Sequence, residues 1–236
     1  MNYWEYYLMG IIVLPGILFA LWAQSRVSLT YSKYTKVLGA KGYTGRQVAE
    51  MMLGANNIYD VSVGGIDGEL TDNFNPRTKR ISLSSGVYDG TTIAALGVAA
   101  HECGHAIQHA KNYAPAKFRQ IVVVATNISS TLLWPIIFLG LFLGFAVQSP
   151  AGQIVLWSGI IVFGLSFLFS LITLPVELDA SKRAVQSLVT LGILDETEVI
   201  GAKEVLRAAA LTYVAALVVS LLQLLRFLLL FVRRRD

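Results

Sequence analysis

Charge is scarce in this chain. Of 236 residues, 14% are Asp, Glu, Lys or Arg, where a soluble domain carries about 25%. With 55% hydrophobic residues and a mean hydropathy of +0.59, that scarcity argues against an ordinary soluble domain. It argues equally against disorder, which needs low hydrophobicity and high net charge. Cysteine is nearly absent. Cys103 stands alone, so no internal disulfide can form, and neither a disulfide scaffold nor a Cys-rich zinc module fits. The net charge of +4 and pI near 9.2 would suit a nucleic-acid binder. Here, however, the basic residues flank apolar runs instead of forming a stripe interleaved with aromatics. The expected partner is the lipid bilayer, and no nucleic acid.

What the sequence does have is long apolar runs. A membrane crossing needs roughly 20 consecutive apolar residues. Residues 6–25 carry no charge, nor does the run 120–176, in which Ser149-Pro150-Ala151-Gly152 supplies a turn. That run accommodates two spans, near 127–147 and 153–174. A fourth stretch, 208–232, is interrupted only by Arg226, which either snorkels or has a function. The N-terminus lacks a basic leader region and a small-residue cleavage site and carries Glu5, so the first span reads as a retained anchor. The expected fold class is an α-helical integral membrane protein with about four transmembrane helices and a small α+β region. Its expected parts are an anchor over 1–25, the α+β region over 26–119, a two-span hairpin over 120–176, a helical segment over 177–207, and a final helix with basic tail over 208–236.

The two polar segments lie on one side if 120–176 is a hairpin. Arg26, Lys33, Lys36, Lys111, Lys117 and Arg119 crowd the membrane flanks of the first, and Lys182, Arg183, Lys203 and Arg207 lie in the second. The positive-inside rule puts both in the cytoplasm. Arg233, Arg234 and Arg235 disagree: they fall outside if the last stretch spans, unless that helix lies in the interface.

Within 26–119, Thr44-Gly45-Arg46-Gln47 is a capping-box pattern opening a helix over about 45–54. Residues 58–64 predict a strand, 71–76 a turn, and 80–84 a second strand, whose edge could take an extended peptide. Asp89-Gly90-Thr91-Thr92 predicts the start of a long helix to about 111.

That helix carries the chemistry. Residues 101–105 read His-Glu-Cys-Gly-His, and all three histidines of the chain, His101, His105 and His109, fall on it. Four residues apart, His101 and His105 stand about 40° apart around the axis and about one turn apart along it, so both imidazoles can reach one zinc ion. Glu102, beside that face, can touch a metal-bound water without ligating the metal, and zinc brings such a water to a pKa of about 7. Cys103 points away. These polar residues interrupt an otherwise apolar helix, Ile93 to Ala100, where a core would be expected. A catalytic zinc needs a third protein ligand. His109, about 12 Å along the axis from His101, cannot join both other histidines on a straight helix, and reads as a supporting or structural residue. The better candidate is Glu177, with Asp179 as understudy, at the start of a helix over 176–184. The competing reading makes both simply acidic residues favourable to a helix N-terminus. Arg183 is a candidate partner for a site carboxylate or a solvated charge.

The stretches Gly68 to Arg77, Ile81 to Ser84 and Val98 to His109, with Pro175 to Ala184 and Ala208 to Ala216, resemble the bacterial neutral zinc metallopeptidases of the YugP type over nearly the whole chain. That family is similar in plan to the membrane-embedded zinc peptidases of the HtpX and CAAX-protease group. The resemblance implies zinc held by His101, His105 and Glu177, with Glu102 as general base. In the wider group the third ligand opens a Glu-x-x-Ala-Asp pattern; here Ala180 matches, but Ser181 replaces the Asp.

The expectation is a membrane-embedded zinc endopeptidase of the bacterial inner membrane acting on polypeptides, in which 26–119 is a small α+β zincin-like catalytic region and 177–207 carries the third ligand, and a part in membrane protein quality control suits its architecture. The alternatives are an intramembrane protease and a membrane scaffold with a structural zinc closed by a fourth ligand, His109 or Asp179.

Overall fold

The computed structural model describes residues 10–123 and 150–235; the span expected near 127–147 lies outside them. The elements are α1 (Leu14–Tyr34), α2 (Gly45–Ala55), β1 (Ser62–Ile66), β2 (Asn73–Asn75), β3 (Arg80–Ser84), α3 (Ser85–Tyr88), α4 (Ile93–Ala110), α5 (Pro150–Thr190) and α6 (Glu198–Arg235). The chain divides into two compact units, one of Met1–Trp22, Phe118–Leu174 and Thr212–Asp236, the other of Ala23–Lys117 and Pro175–Leu211.

The first unit is helical and apolar outward. Leu18, Leu21, Ile154 and Ile161 are among its exposed side chains. Among the described residues, two helices are long and apolar enough to cross a membrane, Trp157–Thr190 and Glu198–Val232. Only 22% and 17% of their most apolar windows are buried inside the protein, the pattern of helices that face lipid rather than a protein core. Small residues let the helices meet closely: a β-carbon on Gly16 would press on Leu222 and Val219. Phe163 stacks on Phe227 at 5.2 Å and Trp157 meets Phe231 at 4.7 Å. The expected first span, 6–25, falls partly on α1, which runs past Arg26 to Tyr34.

The second unit has its own core. The capping box forms as expected: Thr44 Oγ1 accepts from the Gln47 N–H at 3.2 Å, and the Gln47 side chain accepts from the Thr44 N–H at 2.9 Å. A reciprocal pair not anticipated from the sequence starts α6. Asp195 Oδ1 accepts from the Thr197 and Glu198 N–H groups, and Glu198 Oε2 accepts from the Asp195 N–H. Thr92 caps α4 through the Ala95 N–H. The unit's core gathers Val48, Met52, Ile81, Leu83, Val87, Leu96, Leu188 and Ile193 around α4.

The sheet corrects three expectations. The strand expected at 58–64 lies at Ser62–Ile66. Asn57 takes a left-handed conformation (φ 56°) and the Ile58 N–H bonds back to Leu53 O, so Ile58 closes α2 and enters the core instead of starting a strand. The expected turn at 71–76 contains strand β2, because pairing with β3 overrides its turn-rich composition. The strand order is β1-β3-β2, with β1–β3 parallel and β2–β3 antiparallel. β3 is therefore central, and its edges are not free to receive a peptide.

The fourth correction concerns Glu177. It does not start a helix. α5 runs unbroken from Pro150 to Thr190 through Pro175, although Pro175 has no N–H to give to the preceding turn. A favourable position at a helix N-terminus therefore does not account for Glu177 or Asp179.

Candidate metal centre

The site lies wholly within the second unit, on two helices. α4 is rich in Ala and Gly, and thirteen of its eighteen residues are buried. Its shallow faces let neighbouring backbone come close, so the side chains of His101 and His105 face the segment of α5 that carries Glu177.

The three predicted ligands converge. His101 Nε2 lies 3.1 Å and His105 Nε2 3.3 Å from the same carboxylate oxygen, Glu177 Oε2. One ligand atom from each residue falls within 4.8 Å of the other two. The imidazoles meet edge to face, with centroids 4.7 Å apart. Glu177 is 1% exposed. Burial of a carboxylate is costly unless partners meet its charge, and both imidazoles face this one. Two imidazoles and one carboxylate form the ligand set of many catalytic zinc sites.

Each ring has a partner behind it. Ser181 Oγ lies 3.1 Å from His101 Nδ1, and Gln108 Oε1 lies 3.1 Å from His105 Nδ1. The hydroxyl of Ser181 therefore occupies the place behind His101 where the wider group was expected to put a carboxylate. Sequence reasoning missed Gln108, whose only signal was its position three residues after His105.

Glu102 is buried beside the triad. Burial pushes its carboxyl up to about 7, the charges of Glu177 and Asp72 act in the same direction, and His101 and the Phe74 N–H oppose them. Phe74 lies on β2, which packs against α4, and its influence on Glu102 was not foreseen from the sequence. Cys103 faces away as expected, its Sγ 3.7 Å from Ala49 O, and burial pushes its thiol up.

The other candidates sit elsewhere. His109 lies against the Phe74 ring, centroids 5.9 Å apart, outside the triad. Asp179 accepts from Arg183 Nε at 2.6 Å and Gln108 Nε2 at 2.8 Å. It is thus no understudy ligand, and Arg183 serves Asp179 rather than Glu102 or Glu177. Asp72, read as part of a turn, accepts from the Ser84 N–H at 2.7 Å and from its hydroxyl, tying the entry of β2 to the end of β3.

Residues 9–232 match the family described as "Putative neutral zinc metallopeptidase". The chain is 42% identical over 215 residues to the "Putative membrane protease YugP" of Bacillus subtilis, covering 91% of this chain and 92% of that protein. No solved structure matches.

Proposed function

This chain belongs to that zinc metallopeptidase family, and from that premise we propose that it is a membrane-embedded endopeptidase whose zinc is held by His101, His105 and Glu177. The observation that carries the reading is the convergence of those three donors, from two helices, within 4.8 Å. Bound there, zinc supplies Lewis acidity toward a peptide carbonyl and an acidified water.

The chain's own residues supply the rest. Glu102 is the general base: it takes the proton of the attacking water and later delivers it to the leaving amine. The substrate is a polypeptide, laid along the outer edge of β2 instead of β3, since β2 is the edge strand that packs against α4. Asp72 fixes the entry of that strand.

A structural, closed zinc would need His109 or Asp179 as fourth ligand. His109 lies tilted against the Phe74 ring and Asp179 binds Gln108 and Arg183, which favours the catalytic reading over a scaffold.

For the rest of the chain we read four membrane crossings, at 6–25, 127–147, 153–174 and 208–232, with the segments 26–119 and 177–207 in the bacterial cytoplasm. The two apolar helices and the basic flanks support this. Work on misfolded or membrane-proximal chains, as in membrane protein quality control, suits such an enzyme. The deciding experiment compares the purified full chain with Glu102→Gln on an unfolded protein substrate, with zinc measured in both. Equal zinc with cleavage by the wild type alone is expected. Full activity in the variant would overturn the mechanism.

A further inference from the structure

Gln108 is fully buried on α4, yet every polar atom of its amide is engaged. Nε2 donates to Val176 O at 2.7 Å and to Asp179 Oδ2 at 2.8 Å, both on α5, while Oε1 faces His105 Nδ1 at 3.1 Å. An amide oxygen only accepts and an amide nitrogen only donates. The backbone carbonyl of Val176 can only accept. The Asp179 carboxylate also accepts from Arg183 Nε at 2.6 Å, so it too is an acceptor. The nitrogen must therefore face α5, and the amide cannot flip. Its oxygen is left for His105, whose Nδ1 must carry the proton.

The consequence reaches the centre. With Nδ1 protonated, neutral His105 presents a lone pair at Nε2, 3.3 Å from the Glu177 carboxylate oxygen. Two electron-rich atoms facing each other at that distance favour a cation between them. His101 is not committed in the same way, because its partner is the Ser181 hydroxyl, which can donate or accept.

We infer that Gln108 is a positioning residue for the metal: it fixes His105 as the pre-set ligand and is itself fixed by Val176 and Asp179 across the two helices. This rests on the reading that His101, His105 and Glu177 hold zinc.

The test is metal affinity of the purified full chain, measured by competition with a chelator, together with the visible spectrum of the cobalt(II)-loaded protein. Gln108→Met keeps the length and removes the amide. A fall in affinity of about 10- to 100-fold is expected, the range for losing a partner behind a ligand histidine, with a changed cobalt spectrum. Unchanged affinity and spectrum in a folded variant would overturn the inference. Asp179→Asn and Asp179→Leu carry the test if Gln108→Met does not fold. Both remove the same charge, but Asn keeps an acceptor for the Gln108 amide. The inference expects weaker binding in the Leu variant than in the Asn variant, and equal losses would overturn it. A wild-type chain that binds neither zinc nor cobalt would instead sink the metal-centre reading beneath it.

Discussion

Gly104 lies against the backbone of Ala180 with no room for a side chain: a β-carbon built there would collide with the Ala180 carbonyl oxygen and stand 3.0 and 3.1 Å from the carbonyl carbon and Cα. This contact sets the spacing of the two helices that share the ligands, since Gly104 precedes His105 and Ala180 follows Glu177 by three residues. Gly104→Ala should therefore push α4 and α5 apart. The overpacking cost is about 1–3 kcal/mol, which outweighs the helix-propensity gain of about 1 kcal/mol. Thermal unfolding in detergent and zinc content per chain should both fall. A variant with wild-type zinc content would show that the helix spacing does not govern the site.

Glu177 gives the sharpest test of the ligand set. Glu177→Gln preserves size while removing the charge that faces both imidazoles. Zinc affinity should drop by more than the roughly 10- to 100-fold that losing a supporting contact costs, and cleavage should be lost with it. Asp179→Asn, two residues on, should keep zinc far better, because Asp179 contacts Gln108 and Arg183 rather than the triad. Chelator competition on the two purified variants distinguishes a ligand from a nearby acid.

The contrast between these residues shows what the sequence could reveal. His101 and His105 were legible because helical geometry alone sets their relation. Glu177 was legible from its place after an apolar run, once the histidines demanded a third ligand. The helix around it was misplaced, because the change from apolar to polar residues suggested a new helix at 176, whereas α5 carries straight through that change. Gln108 and Ser181 were not legible as partners. Their roles depend on contacts across 71 and 80 residues of sequence, which no local pattern encodes. β2 was hidden for a related reason: its turn-rich residues become a strand only because β3 pairs with them. The central place of β3 was equally invisible, since a parallel partner depends on a crossover rather than on composition.

Asp72 should matter beyond its place in a loop. Its carboxylate satisfies both the N–H and the hydroxyl of Ser84, and Ser84 is 2% exposed. Asp72→Ala would leave both groups buried without this partner, at a cost of about 1–3 kcal/mol. It would also loosen the start of β2, where Phe74 reaches Glu102. Lower thermal stability and a raised KM for peptide are expected, with zinc content retained. Loss of zinc in a folded Asp72→Ala variant would contradict the division of labour between sheet and helices.

Glu102 links burial to pH. Without metal its carboxyl stands at about 7 in the folded chain against an ordinary value of 4.5, with burial as the leading cause. Below pH 4.5 the group is neutral in both states and costs nothing. As pH rises from 4.5 toward 7, the unfolded chain releases this proton while the folded chain keeps it, so the folded state binds more protons and stability falls. Above pH 7 the loss levels off at about 3 kcal/mol. Metal-free wild type should thus lose thermal stability between pH 4.5 and 7, while metal-free Glu102→Gln should lack that slope and be the more stable form at pH 8. Zinc should reverse the comparison, because a cation beside the carboxylate favours its charged form. Unfolding temperatures of both chains at pH 5 and pH 8, with and without zinc, measure all four corners. Parallel pH profiles for the metal-free pair would mean that Glu102 is not held neutral by its surroundings.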